Sequence, residues 1–392
     1  LGWQARLWLN LRVARRKQYK LPASSGGGSN LFYWLLALAL IVGIAWVWVH
    51  TSQNKPRPQT PRPPPPQTRA SSPTPIQPAI SKPPAPVVVR QPTPPLTLPA
   101  SNSDSFPRGT RNTFEAQVAL ARRVISAGSI DGLAGAQTRA AILAFQKTSG
   151  LAQSGNLDTE TRNQLTIETS PTSSYIVTSN DLARLQPIAP TWLGKSQQTA
   201  LDFETLLELL AETFHAHPGY IRTLNPSINW SNTIPVGTEL RVPNAAYPEP
   251  TEKAAFIRIS LSAKTLQAFG ASSNLLAHFP CSIAARVEKR PVGELHVAAI
   301  APNPNYTFDP AVFPESAEAR ALGRKLILPP GPNNPVGVAW ISLDKPGYGM
   351  HGTPNPEQVG RTESHGCFRL ANWNAEYLSK LVSVGTPVSV EP

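Results

Sequence analysis

From Thr51 to Ala100 the chain carries seventeen prolines and no acidic residue. Proline locks φ and removes a backbone donor, so such a tract builds neither helix nor sheet and cannot bury a core. It is expected to be an extended, polyproline-like linker. At about 3.1 Å per residue it would reach on the order of 150 Å. Service as a proline-rich docking site for a partner is the alternative. The tract, assigned as 50–105, divides the chain: whatever folds as a globule must follow it, and what precedes it stands apart.

What precedes it includes Leu31–Val49, LFYWLLALALIVGIAWVWV, nineteen residues without a charge. That length spans a bilayer as a helix. Tyr33, Trp34, Trp46 and Trp48 lie near its ends, where amphipathic rings favour the interface. Six Lys/Arg precede it and three follow within fifteen residues. This bias puts residues 1–30 in the cytoplasm as a basic tail, 31–49 across the membrane and everything later outside. A cleaved signal peptide is the alternative, but its apolar core is usually shorter and no A-x-A-like site follows.

The formal net charge of +12 suggests nucleic acid until it is located. Twelve Lys/Arg precede the first acidic residue, Asp104, and the other 24 balance all 24 Asp and Glu. The globular part is neutral and has no basic patch interleaved with aromatics, so nucleic acid is not an expected partner. Two cysteines, Cys281 and Cys367, do not make a disulfide framework.

Three folded segments are expected. In the first, 106–167, Phe114, Val118, Ala121 and Ile125 mark a helical face. A Gly-rich turn then leads to a helix with Ile142 and Phe145. A third helix starts at Asp158 as N-cap, with Glu160 in its first turn. The run IDG..G..T..A...FQ...GL...G.LD..T...L, Ile130 to Leu165, resembles the type-1 peptidoglycan-binding module. The resemblance implies recognition of cell-wall polymer; the residues alone equally allow a helical spacer.

The second segment, 173–244, opens as a strand (YIVTSN). A stripe of Phe203, Leu206, Leu207, Leu210 and Phe214 then reads as an amphipathic helix, and a strand at Glu239–Val242 closes it. This α+β order, with LNP and IPVGTELRVP, resembles a LysM module, a glycan-binding fold. Residues from about Thr178 to Thr199 are an insertion relative to that pattern, and Ser179-Asn180-Asp181 stands at its usual GDT turn. His215 and His217 fall at the helix end and read as helix-end or surface residues.

The third segment, 253–391, alternates in short runs (AFIRISLS, TLQAF, LLAHFPCSIA, GELHVAAI) and reads as mostly β. Its one clear helix is Ala371–Val382, with Asn372 or Asn374 near the start. The chain is therefore expected to be multidomain: a transmembrane helix, a small three-helix domain, an α+β domain and a mainly-β domain.

The chemistry concentrates in HGTPNPEQVGRTESHGCFRL, His351 to Leu370. A nucleophilic thiol needs thiolate character, a base and donors for the oxyanion. Cys367 is the nucleophile candidate. Gly366 allows a sharp turn, and the N–H groups around Gly366, Cys367 and Phe368 could face the oxyanion. His351 and His365 are both base candidates, and the residues alone do not choose between them. A zinc site from the two histidines and Cys367 lacks a fourth ligand, a CxxC or an HExxH. A buried structural cysteine is the remaining alternative. Residues 303–325 could form a lid, with Tyr306 and Phe308 facing substrate or simply packed.

HGT, then about a dozen residues, then SHGC-x-R-L resembles the catalytic core of the YkuD-type L,D-transpeptidases. FPCSIA and RPVGELHV resemble that family's upstream strands. The resemblance implies a β-sandwich domain, with Cys367 as the acylated nucleophile, His351 as general base and acid, and His365 as a further active-site histidine. Ser364, Gly366 and Arg369 are implied to shape the site, with Phe368, Gly352 and Tyr348 beside them on the substrate and oxyanion side. Arg369 would hold a carboxylate or brace the loop. No metal or cofactor is expected. RPVGE departs from the usual TPTG, Phe368 stands where an aliphatic is common, and Cys281 reads as a core residue rather than a disulfide partner.

The expected activity is formation of 3→3 cross-links between peptidoglycan stem peptides through a thioester, with release of D-alanine. Water as acceptor would make the enzyme an L,D-carboxypeptidase, and a protein lysine would make it a protein-to-wall ligase. A non-catalytic wall anchor is the rival from another class.

Overall fold

A computed structural model describes residues 105–312, 316–362, 364 and 366–392. The expected basic tail, spanning helix and nearly all of the linker lie outside these residues, as does His365. No helix among the described residues is long and apolar enough to cross a membrane.

The first segment forms three helices, α1 (Thr113–Ala121), α2 (Ala136–Thr148) and α3 (Thr159–Gln164), closed by strands β1 (Arg108–Gly109) and β2 (Thr166–Ile167) paired antiparallel. Asn112 caps α1 by accepting the Glu115 N–H at 2.9 Å, and Asp158 caps α3 by accepting the Thr161 N–H at 2.9 Å. Such side chains satisfy donors that the first helical turn leaves open. The expected single face on α1 is not what forms. Ala116, Ala119 and Leu120 pack with Ile142 and Phe145, whereas Val118 and Ala121 pack with Ile130 and Ala245. The helix is buried on two sides, which spreads its apolar residues around the axis. It stops before Ile125, because Val124 turns the chain with φ +58°. Ile125 then bridges to His278 in the third segment.

The second segment pairs β3 (Thr172–Ile176) with β4 (Glu239–Pro243), antiparallel, around four short helices. These are α4 (Ser179–Ala183), α5 (Trp192–Ser196), α6 (Leu206–Thr213) and α7 (Pro218–Leu224). At Ser179-Asn180-Asp181 a helical turn forms, capped reciprocally by Thr178 and Asp181. The core holds Phe203, Leu206, Leu209, Leu210, Ile221, Leu240 and Val242; of the stripe read from the sequence, Leu207 and Phe214 only pack against its edge, and Leu209 is buried in addition. His215 does follow the end of α6, but it is half-buried rather than free on the surface. It has φ +55° and stacks on Trp373 of the third segment, with centroids 5.3 Å apart and planes at 12°. His217 accepts the Gly219 N–H at 3.0 Å and caps α7.

The third segment is an eight-stranded mixed sheet with the order β13-β12-β11-β8-β14-β5-β6-β7. The strands are β5 (Phe256–Ser260), β6 (Thr265–Phe269), β7 (Leu275–Pro280), β8 (Gly293–Pro302), β11 (Ala339–Leu343), β12 (Gly349–His351), β13 (Phe368–Arg369) and β14 (Pro387–Glu391). A separate hairpin joins β9 (Tyr306–Phe308) to β10 (Leu326–Leu328), and the helix α8 (Ala317–Leu322) lies between them in sequence. Alternate residues such as Ile257, Ile259, Ile341, Val388 and Val390 point into one core, joined by Ala375, Leu378 and Leu381 from α9 (Asn372–Leu381). The expected sandwich takes the form of one sheet folded over on itself. Just past β7, Ser282 exchanges both backbone hydrogen bonds with Arg369 of β13, at 2.9 and 3.1 Å. The two ends of the sheet therefore meet in a seam, and the seam carries the motif residues.

Candidate active site

β12 and β13 run parallel, with Met350 beside Phe368 and His351 beside Arg369. Side chains alternate along a strand. Met350 and Phe368 accordingly enter the core, fully buried, while His351, Cys367 and Arg369 line a cavity of about 350 Å³ on the other face. Phe368 is thus a core residue, not a substrate-facing one. On the far side of His351, Trp340 of β11 is its sheet partner and stacks on its ring, with centroids 5.4 Å apart and planes at 26°.

His351 is 6 % exposed. Its Nδ1–H donates to the Gly352 carbonyl at 2.6 Å, which assigns the tautomer and leaves Nε2 as the acceptor. Burial depresses its pKa to about 4, against the Gly352 bond, with the Arg369 charge adding to the fall. Gly352 is needed for close approach: a Cβ there would run into Asn372 Oδ1 and the Gly337 backbone. Asn372 opens α9, accepts the Thr353 N–H at 3.0 Å and donates to Glu212 of α6 at 2.8 Å. The end of the histidine strand is thereby pinned from two segments at once. Burial lifts the Glu212 carboxyl to about 8, opposed by the Asn372 bond.

Cys367 is half-buried. Its Sγ–H points at the Gly347 carbonyl at 3.5 Å, and the Gly349 N–H points at the sulfur. Burial raises the thiol to about 11, against the pull of that N–H. Gly349 must be glycine because a Cβ would press on the Trp340 ring and the Ile341 carbonyl. Ser364 donates to the Cys367 carbonyl at 2.6 Å and accepts the Gly366 N–H at 3.2 Å. Ser364 therefore shapes the cysteine turn. The Gly366 N–H, expected among the oxyanion donors, is engaged inside that turn. Tyr348 packs against the core and beside Gly366 rather than lining the cavity, and Lys345 sits over its ring at 4.9 Å. Arg369 donates to Thr362 Oγ1 at 3.1 Å.

The cavity residues not signalled by the motif include Trp192, Lys289, Tyr306 and Trp340. Tyr306 was an expected alternative in the lid, and it does face the cavity. Phe308 does not: it is fully buried under Trp192. Cys281 is a fully buried free thiol, raised by burial to about 12. Among the described residues no cluster of metal-binding side chains forms.

Residues 254–390 match the family model of the YkuD L,D-transpeptidase catalytic domain, and residues 112–165 match that of a peptidoglycan binding domain. Cys367 and His351 fall within the first match. A Bacillus licheniformis protein that carries the L,D-transpeptidase name YkuD is 26% identical over 186 residues, covering 47% of this chain and 93% of that protein. YqjB of Bacillus subtilis, which carries the same family name, is 34% identical over 105 residues, 26% of this chain and 51% of that protein. Among solved structures, an L,D-transpeptidase from Mycobacterium smegmatis is 18% identical and covers 41% of this chain and 76% of that chain, with a TM-score of 0.28.

Proposed function

We propose that this protein is a peptidoglycan L,D-transpeptidase that forms 3→3 cross-links between stem peptides, with Cys367 as nucleophile and His351 as general base and acid. The observation that carries the reading is the opening of Cys367 and His351 onto one cavity, with His351 Nδ1 tied to a backbone carbonyl. That bond leaves Nε2 to accept the thiol proton.

Cys367 and His351 rest as neutral thiol and neutral imidazole, since burial has moved their pKa values apart. The proton therefore passes to Nε2 as sulfur attacks the carbonyl between the third stem residue and the terminal D-alanine. The Gly349 N–H steadies the developing negative charge on sulfur, and backbone donors around the cysteine turn steady the oxyanion. Collapse breaks the peptide bond, and His351 returns the proton to the departing D-alanine amine. A thioester remains. The amine of a second stem peptide, deprotonated by His351, attacks it and restores the thiol. His365 is a further active-site residue in this reading, and Arg369 with Lys289 offers positive charge to substrate carboxylates.

The helical segment would hold wall polymer, and the middle segment would act as a LysM-like module beside it. With 31–49 as an uncleaved anchor and 50–105 as a tether, the catalytic segment would lie outside the cytoplasmic membrane at high local substrate concentration. The test is incubation of the protein and its Cys367→Ala variant with disaccharide-tetrapeptides. D-alanine release with dimer formation, lost in the variant, is expected. Release without dimers would point to water as acceptor, and no release from the wild type would overturn both.

A further inference from the structure

The middle segment does more than sit between the linker and the catalyst. Its excursion between α4 and α6 leaves its own core and packs on the third segment: Ile188, Trp192 and Leu193 join Phe308, Leu326 and Leu328 there. Backbone and side chains stitch the excursion down. Leu193 N–H donates to Glu318 at 3.2 Å, Leu201 N–H donates to the Pro330 carbonyl at 2.9 Å, and Asn333 N–H returns a bond to Leu201 at 2.9 Å. Gly331, at φ +142°, lies so close to the Leu201 backbone that any Cβ would collide with it. The product of this construction is one indole ring. Trp192 opens α5, which Thr191 caps by accepting the Gly194 N–H; its ring stacks on buried Phe308 at 4.3 Å and 16° and has Lys195 5.5 Å from its centroid. It lines the same cavity as Cys367 and His351.

We propose that Trp192 is a specificity-determining residue for the acyl-donor stem peptide, supplied to the catalytic cavity by the middle segment. The proposal rests on the transpeptidase reading above. A donor stem presents small aliphatic groups and free carboxylates. The cavity answers with aromatic walls (Trp192, Tyr306, Trp340) and two cations (Lys289, Arg369). A rigid aromatic wall contributes apolar contact at low entropic cost. The middle segment is then part of the site, not only a tether or a glycan grip.

The test uses the full chain with a disaccharide-tetrapeptide, reading initial D-alanine release. Trp192→Leu keeps an apolar side chain on Phe308 but removes the ring, and is expected to raise KM about tenfold with kcat within about twofold. Trp192→Phe should recover most of that loss. The rate of iodoacetamide attack on Cys367 should match the wild type in both variants, and Trp192→Phe should keep the wild-type melting temperature. An unchanged KM in Trp192→Leu, with normal wild-type release, would overturn this proposal alone. So would a KM change that tracks altered alkylation, or one as large in Trp192→Phe as in Trp192→Leu. Failure of the wild type to release D-alanine would remove the transpeptidase reading and this proposal with it.

Discussion

Cys367 and His351 share a cavity without forming a resting ion pair, and this sets how the site should respond to pH. With the thiol near 11 and the imidazole near 4, both are neutral through the intervening range. Alkylation of Cys367 by iodoacetamide, followed by mass spectrometry, should therefore climb steadily from pH 6 toward pH 11. A plateau already reached below pH 7 would mean a thiolate–imidazolium pair instead. Cys281, sealed in the core, should stay unmodified in the same samples. The buried histidines also govern acid stability. His278 is 2 % exposed and, like His351, is held by burial near 4 against an ordinary value of 6.5. The folded protein declines protons that the unfolded chain accepts, so stability is full above 6.5 and lost as pH falls toward 4. Each contributes on the order of 3 kcal/mol across that window. Melting temperature should fall over this range, and less steeply in His278→Gln.

At the level of elements, the two-residue strand β13 shows what Phe368 does inside the motif. That ring anchors in the core the strand that presents Cys367 on the opposite side. Phe368→Ala should cost about 3–5 kcal/mol, read by chemical denaturation. The pin at the head of α9 gives a prediction of opposite pH sense. Glu212 is raised from 4.5 to about 8, so its folded form keeps a proton that the unfolded chain releases. That stability is present below 4.5 and lost as pH rises through 8. Glu212→Gln keeps a polar partner for Asn372 without the titration, so its melting temperature should exceed the wild type at pH 9. The elements themselves were largely legible. Short alternating runs became β5 to β8, Asp158 capped its helix, and most of the α6 stripe was buried, because each depends on local pattern and one buried face. Ile125 was misplaced because the helical periodicity assumed one core, whereas that residue sits where segments meet; His215 was rightly put at a helix end, but its packing between segments was not legible. The Gly366 N–H was also illegible, since its engagement depends on a serine hydroxyl two residues away in a turn that sequence does not specify.

Across the whole described molecule, the three folded segments are stitched rather than strung. Ile130 exchanges backbone hydrogen bonds with His215 and His217, and Ser126 and Val124 bond to His278. Arg122 donates to carbonyls of Thr169, Ser170 and Asn244. Residues 105–392 should accordingly unfold in a single calorimetric transition, whereas independent modules would give two or three. The thiol and His351 could be found in the sequence because they lie sixteen positions apart in one motif. Trp192 could not, because it reaches the cavity from about 175 residues upstream through contacts that exist only after folding. The seam between Ser282 and Arg369 carries one more consequence. With Ser282 on one side and β12 on the other, β13 offers no open edge onto which an incoming peptide could lay itself as an added strand. Under the proposed function, a peptide substrate reaching this strand would be met by side chains at the cavity mouth. In that reading Trp192 brings part of the mouth from a different stretch of chain than the sulfur, so that wall could be rebuilt for a new peptide while the backbone that presents sulfur is left untouched.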